Sequence, residues 1–174
     1  MTKIGCCCFP KGMKHYFSRF KLVEVQQTFY KPPQVATALM WRGKTPTDFE
    51  FAIKAWQLIT HPCSSPTYRK AGLNIPQGKE ASYGFFRPTA EVMGAWSDEG
   101  VRALCEELDL VHCVDPFQRE PLYGVVSYFR LHGGWGYRHK YTDEELKWLG
   151  DRWGEGYFLF NNLSMYDDAL RLER

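Results

Sequence analysis

The chain has 174 residues, 44% hydrophobic and 16% aromatic, which suffices for one substantial core and leaves two full domains a tight fit. Twenty-two Lys and Arg stand against 20 Asp and Glu, a net charge of +2 that excludes the strongly basic balance of a dedicated nucleic-acid binder. No run of about 18 apolar residues offers a membrane span, and Met1 to Pro10 holds no apolar stretch long enough for a signal peptide. The expectation is therefore one domain over residues 1–174, cytoplasmic and without a membrane partner.

Lys3 to Cys8 reads as a first strand, followed by a breaker-rich loop from Pro10 to Lys14 and a short helical turn at His15 to Phe20. Cys6, Cys7, Cys8, Cys63, Cys105 and Cys113 show neither a CxxC pair nor a repeating ligand spacing, which argues against a disulfide framework. Cys6 and Cys8 share one strand face and Cys7 the other. The trio serves either as small apolar filler or, with Cys63, in a soft-metal or redox role.

Leu22 to Gln26 predicts a second strand, with Glu24 and Gln26 on one face and Val23 and Val25 on the other. Pro32-Pro33 stops it. Gln34 to Arg42 reads as a helix with Val35, Ala38 and Leu39 in register, closed by Gly43. Phe49 to Trp56 is a third strand, carrying Phe49, Phe51 and Ile53 on one face and Glu50, Ala52 and Lys54 on the other. Ile59 to Gly84 is a long loop, and Thr89 to Trp96 looks like the start of a helix.

Ser97 reads as an N-cap before Val101, Leu104, Cys105 and Leu108 at i, i+3, i+4 and i+7, a clean amphipathic helix. Leu110 to Val114 predicts a strand ending at Asp115-Pro116. In the strand from Ser127 to His132, alternation sets Tyr128, Arg130 and His132 against Phe129 and Leu131, and the glycine-rich turn Gly133-Gly134-Trp135-Gly136 follows. Thr142 with Glu145 forms a capping box for a helix bearing Leu146, Leu149 and Trp153 and ended by Gly154. Tyr157 to Phe160 is the last strand, running into Asn161-Asn162, and a closing helix lies near Tyr166 to Leu172.

Strands alternating with helices predict an α/β fold with a parallel sheet of about six strands. Most strand units end in polar residues, among them Thr28, Tyr30, His61, Asp115, His132, Asn161 and Asn162. The carboxyl ends of parallel strands are where α/β sites are built.

Four segments resemble the YecE-like family, also called domain of unknown function 72: Val23 to Tyr30, Phe51 to Lys54 with Thr60-His61, Tyr128 to Gly133, and Phe160 to Asn162. The resemblance implies a TIM barrel. Such a barrel takes about 250 residues and rarely fewer than about 200, so this chain is short for it. The relatives carry further βα units, including a Glu-x-Arg segment, where here the helix ending near Trp96 abuts the one starting at Ser97. The expectation is an incomplete TIM-barrel-like fold that lacks about two βα units, on the order of 60 residues. Its exposed sheet edges would invite a homodimer.

In such a barrel Glu24, Lys54, Arg130 and His132 fall on inward-turned polar faces. Glu24 suits a base, His132 a proton carrier, and Lys54 the third member of a catalytic set. Arg130 would grip a carboxylate or phosphate, with Asn161 and Asn162 orienting it and Tyr30, His61 and Asp115 completing the substrate site. The alternative is a structural ion-pair network filling the lumen. A divalent metal held by Glu24, His61, Asp115 and His132 is a sharper variant without a supporting local spacing. The glycine-rich turn could cradle an anion.

The expected function is enzymatic, hydrolase-like or isomerase-like, on a small anionic or sugar-phosphate substrate. A nucleic-acid or protein binding module using Trp135, Tyr137, Arg138, His139 and Lys140 is the alternative, and an inactive shortened barrel a third.

Overall fold

A computed structural model describes residues 1–57, 61, 65–70, 72, 89–90, 97–134 and 136–173. Cys63, most of the loop from Ile59 to Gly84, residues 91–96 leading to the junction expected between Trp96 and Ser97, and Trp135 lie outside them. The chain forms two compact units, one of Met1–Val23 with Arg87–Arg174 and a second of Glu24–Phe86.

The strands are β1 (Thr2–Cys6), β2 (Leu22–Val25), β3 (Glu50–Ile53), β4 (Thr89–Ala90), β5 (Val111–Val114), β6 (Tyr128–Leu131) and β7 (Gly156–Phe160). The helices are α1 (Met13–Phe17), α2 (Gln27–Tyr30), α3 (Val35–Gly43), α4 (Thr67–Lys70), α5 (Asp98–Leu108), α6 (Asp143–Trp153) and α7 (Met165–Leu172). All six expected strands are present. A two-residue seventh, β4, occupies the start of the segment expected to be helical, because Thr89 and Ala90 pair in parallel with Val111 and His112.

In the first unit every recorded pairing is parallel. β1 lies between β2 and β7, with Gly5 opposite Leu22 and an unbroken register from Thr2↔Gly156 to Cys6↔Phe160. β6 pairs with β7 over Tyr128–Leu131, and Cys113 and Val114 of β5 face Tyr128 and Phe129. Alternating α and β elements around parallel strands make this an incomplete TIM-barrel-like α/β fold. Gly5 permits the close approach of β1 to β2, since a Cβ there would stand 2.2 Å from the Leu22 carbonyl oxygen.

All four β6 side chains are buried, as are Phe158, Leu159 and Phe160 of β7. A parallel strand covered on both faces loses its polar side, so Arg130 is as enclosed as Phe129. Helices supply the cover. In α5 the Ser97 hydroxyl accepts from the Gly100 N–H at 3.1 Å, and Val101 and Cys105 pack with Leu110. In α6 both halves of the Thr142–Glu145 capping box form, at 3.2 and 2.7 Å, and Leu146 and Leu149 are buried. Each buried Leu or Phe contributes about 1.5–3 kcal/mol.

The second unit departs from the predicted pattern in α3. Val35 and Leu39, expected to face the core, are 75% and 66% exposed, while Trp41 is buried. Trp41 has the largest apolar area on the helix, and its burial turns the Val35–Leu39 stripe outward. In β3 the face expected to be apolar is split, with Phe49 buried and Ile53 exposed. Arg42 organises the turn between them, donating to the Phe49 carbonyl at 2.8 Å with its guanidinium over the Phe51 ring.

Candidate functional site at the carboxyl ends of the strands

In the first unit the carboxyl ends of β5 and β6 bring Asp115 and His132 together. Asp115 is buried, and its two oxygens have separate tasks. Oδ1 accepts from the Phe117 N–H at 3.1 Å, closing the turn after β5, and Oδ2 accepts from the His132 N–H at 3.0 Å. The same oxygen stands 4.0 Å from His132 Nδ1, a charge contact rather than a hydrogen bond. The His132 side chain keeps 23% of its surface in solvent, and Tyr137 meets it edge to face at 6.1 Å. One carboxylate thus fixes both the backbone and the charge environment of a reachable imidazole.

Arg130 lies two residues earlier, within β6, and is 6% exposed. Its Nη2 is 3.9 Å from the Cys7 sulfur. Asn161 is half-buried at the end of β7, and its N–H donates to the Leu131 carbonyl at 2.8 Å. Asn162 is buried: Nδ2 donates to the His139 carbonyl and to Asp168 Oδ2, both at 2.7 Å, while Oδ1 has no partner among the described residues.

The glycine-rich turn closes on itself. The Gly133 N–H donates to the Tyr141 hydroxyl at 2.8 Å and the Gly136 N–H to the Gly133 carbonyl at 3.3 Å, so two of its amides are already paired. Gly133 has φ +89°, and a Cβ there would stand 2.6 Å from the Gly136 carbonyl oxygen. Only glycine fits that corner.

The remaining candidates lie in the second unit. Glu24 is buried and accepts from Gln26 Nε2; Gln26, expected on the same strand face, lies past the end of β2 with helical dihedrals as the N-cap of α2. Phe29 gathers three others: Lys54 Nζ sits over its ring at 4.6 Å, and His61 and Tyr30 meet it edge to face at 4.9 and 5.1 Å. The Tyr68 hydroxyl donates to the His61 carbonyl at 2.8 Å. Among the described residues no three His, Cys, Asp or Glu side chains gather closely enough to hold a metal ion.

The sequence profile described as Protein of unknown function DUF72 matches residues 9–94. Over that span, just under half of its length, the chain is similar to the DUF72 family. Two crystal structures of a DUF72 family protein from Enterococcus faecalis V583 share its fold. The first, at 18% identity, aligns over 99% of this chain and 96% of the other with a TM-score of 0.65. The second, at 16%, covers 99% and 94% with a TM-score of 0.70. No curated protein matches. Among the described residues no helix is long and apolar enough to cross a membrane.

Two residues of this site escape sequence reasoning. Tyr141 is buried against Phe117 and Phe160, and burial first, then the charge of Asp115, push its hydroxyl well above the usual tyrosine range. It therefore stays neutral while holding Gly133. Asp168 is fully buried and accepts from Asn162, from Arg171 Nη1 at 3.1 Å and from the Tyr141 N–H at 3.4 Å. Tyr141 precedes the N-cap Thr142, where an apolar staple residue is customary, so its position signalled helix packing rather than a site. Asp168 looks like an ordinary first-turn acid of α7.

Proposed function

We propose that the chain is an enzyme of hydrolase or isomerase type, acting on a small anionic or sugar-phosphate substrate at the carboxyl ends of β5, β6 and β7. The Asp115–His132 pair carries this reading: a buried carboxylate binds the His132 N–H at 3.0 Å and lies 4.0 Å from a ring that solvent still reaches. Asp115 attracts the ring's charge when His132 is protonated, so the imidazole can give and take a proton during turnover. Arg130 supplies a planar cation in an enclosed setting, where attraction to a carboxylate or phosphate exceeds that in water. Asn161 offers an amide to orient the substrate. In the second unit Glu24 and Lys54 are the candidate acid-base residues by type, and Tyr30 and His61 the candidate substrate contacts.

The test is turnover of a panel of sugar phosphates and small carboxylates, followed by NMR, with calorimetric titration of inorganic phosphate alongside. His132→Gln is expected to lower turnover about 100-fold or more while the fold survives, the usual scale of general acid-base catalysis. Arg130→Lys should weaken phosphate binding. Wild-type protein that neither binds phosphate nor turns over any member of the panel would sink the enzymatic reading. Glu24→Gln and Lys54→Met enter the same assay.

A second reading, nucleic-acid binding, is favoured by the exposed Tyr137, Arg138 and Lys140 after the glycine turn. It predicts salt-dependent retention of oligonucleotides that weakens in Arg138→Ser and Lys140→Ser. Unchanged retention in both variants counts against it.

A further inference from the structure

The Cys6 and Cys8 thiols both reach Met165, where β1 ends beside the start of α7. The Cys8 thiol points at the Met165 thioether, with Sγ and Sδ 3.6 Å apart. The Cys6 thiol donates to the carbonyl oxygen of the same Met165 at 3.5 Å. Cys6 is fully buried, while Cys8 is half-buried and opens a path from solvent.

We propose that Cys6, Cys8 and Met165 form a binding site for a soft monovalent metal ion, Cu(I) being the natural occupant by ligand type. Thiolate and thioether sulfurs select soft ions over Mg, Ca or Mn, and two thiolates with one thioether complete a three-coordinate sulfur set. The spacing suits it. Two sulfurs bound at about 2.3 Å to one ion and 3.6 Å apart subtend an angle of about 103° at the metal, so Cys8 and Met165 need little movement.

The balance of the binding step is simple. Two S–H bonds give up their protons to water, two metal–thiolate bonds and one metal–thioether bond form, and no electron is transferred. Metal binding at these thiols requires their deprotonation, so uptake of the ion releases protons. Cys7 stands apart, on the opposite strand face beside Arg130.

The experiment is anaerobic titration of the full chain with Cu(I) buffered by a coloured competing chelator, with Mg(II) as the comparison ion. One equivalent of Cu(I) is expected to leave the chelator. Cys8→Ser should weaken binding about 100-fold and Met165→Leu about tenfold, at least the scale of losing outer partners of a metal site. Cys63→Ser should bind as the wild type does. Thermal melts of each variant separate loss of the site from loss of the fold, and Met165→Leu conserves volume for that purpose. No transfer of Cu(I), or wild-type binding in both Cys8→Ser and Met165→Leu, or loss of the equivalent in Cys63→Ser, overturns the assignment.

Discussion

Replacing Asp168 by Ala removes a fully buried carboxylate that three donors share, and the cost can be built from those donors. The Asn162 Nδ2 contact at 2.7 Å and the Arg171 Nη1 contact at 3.1 Å are charge-assisted, each worth about 1.5 kcal/mol at the low end of that class. The low end applies because both donors keep other partners: Asn162 retains the His139 carbonyl and Arg171 retains the Tyr141 carbonyl and Asp143. The Tyr141 N–H at 3.4 Å adds little while the bond exists, but loses a buried acceptor when it goes. The total is about 3–4 kcal/mol, and for a chain of this size a melting temperature lowered by roughly 10 °C. The assay is a calorimetric melt of wild type, Asp168→Ala, Asn162→Ala and the double variant. A coupling energy of about 1 kcal/mol or more is expected between the two residues. A melt of Asp168→Ala within about 2 °C of wild type, or full additivity in the double variant, would show that Asp168 does not hold this end of the site together.

Four further outcomes follow from the geometry. Gly133→Ala should lose about 2 kcal/mol or more, from positive φ together with the Gly136 clash, and a melt unchanged from wild type refutes that corner's constraint. His112 is held neutral because burial, then the positive charge of Arg119, lowers its pKa below the usual 6.5, and its Nδ1 accepts from the Leu122 N–H at 3.1 Å. The unfolded chain therefore takes up a proton that the folded one refuses, so this contribution is present above about pH 6.5 and fades as pH falls below it. Wild type should lose stability between pH 7.5 and 5.5 more than His112→Asn does, and equal losses count against the assignment. Thr142→Ala removes one half of the α6 capping box and should cost about 1 kcal/mol by denaturant midpoint. Finally, light scattering decides whether strand edges pair two copies into a homodimer: a monomer at every concentration removes that idea.

Features set by neighbours in sequence were legible in advance. Ser97 and Gly100, or Thr142 and Glu145, lie three residues apart, and their caps formed as the spacing demands. The strand carrying Arg130 was legible too, from the apolar and aromatic residues of Tyr128–Leu131. Long-range choices were not legible. Asp115 and His132 are 17 residues apart and Tyr141 and Asp168 are 27 apart, and no periodicity reports which strand or helix end will meet which. The α3 register failed for a related reason: Val35 and Leu39 fit a helical stripe, but competition with Trp41 for cover is decided by the surroundings. Asn162 shows the limit for a site residue. Its type and its place at a strand end suited substrate binding, whereas its amide faces His139 and Asp168.

The register that joins Thr2–Cys6 to Gly156–Phe160 also governs how the chain assembles on the ribosome. At about 5–20 residues per second, the partner of β1 emerges roughly 10–30 s after β1 itself. Through that interval β1 has only the short contact with Leu22 and Val23 available, and its free edge and the apolar Cys6–Phe9 segment stay open to other chains. Closing a loop of this length adds little to the equilibrium cost but delays the cooperative step. Misassembly during synthesis, more than weakness of the finished fold, is therefore where this architecture is most vulnerable.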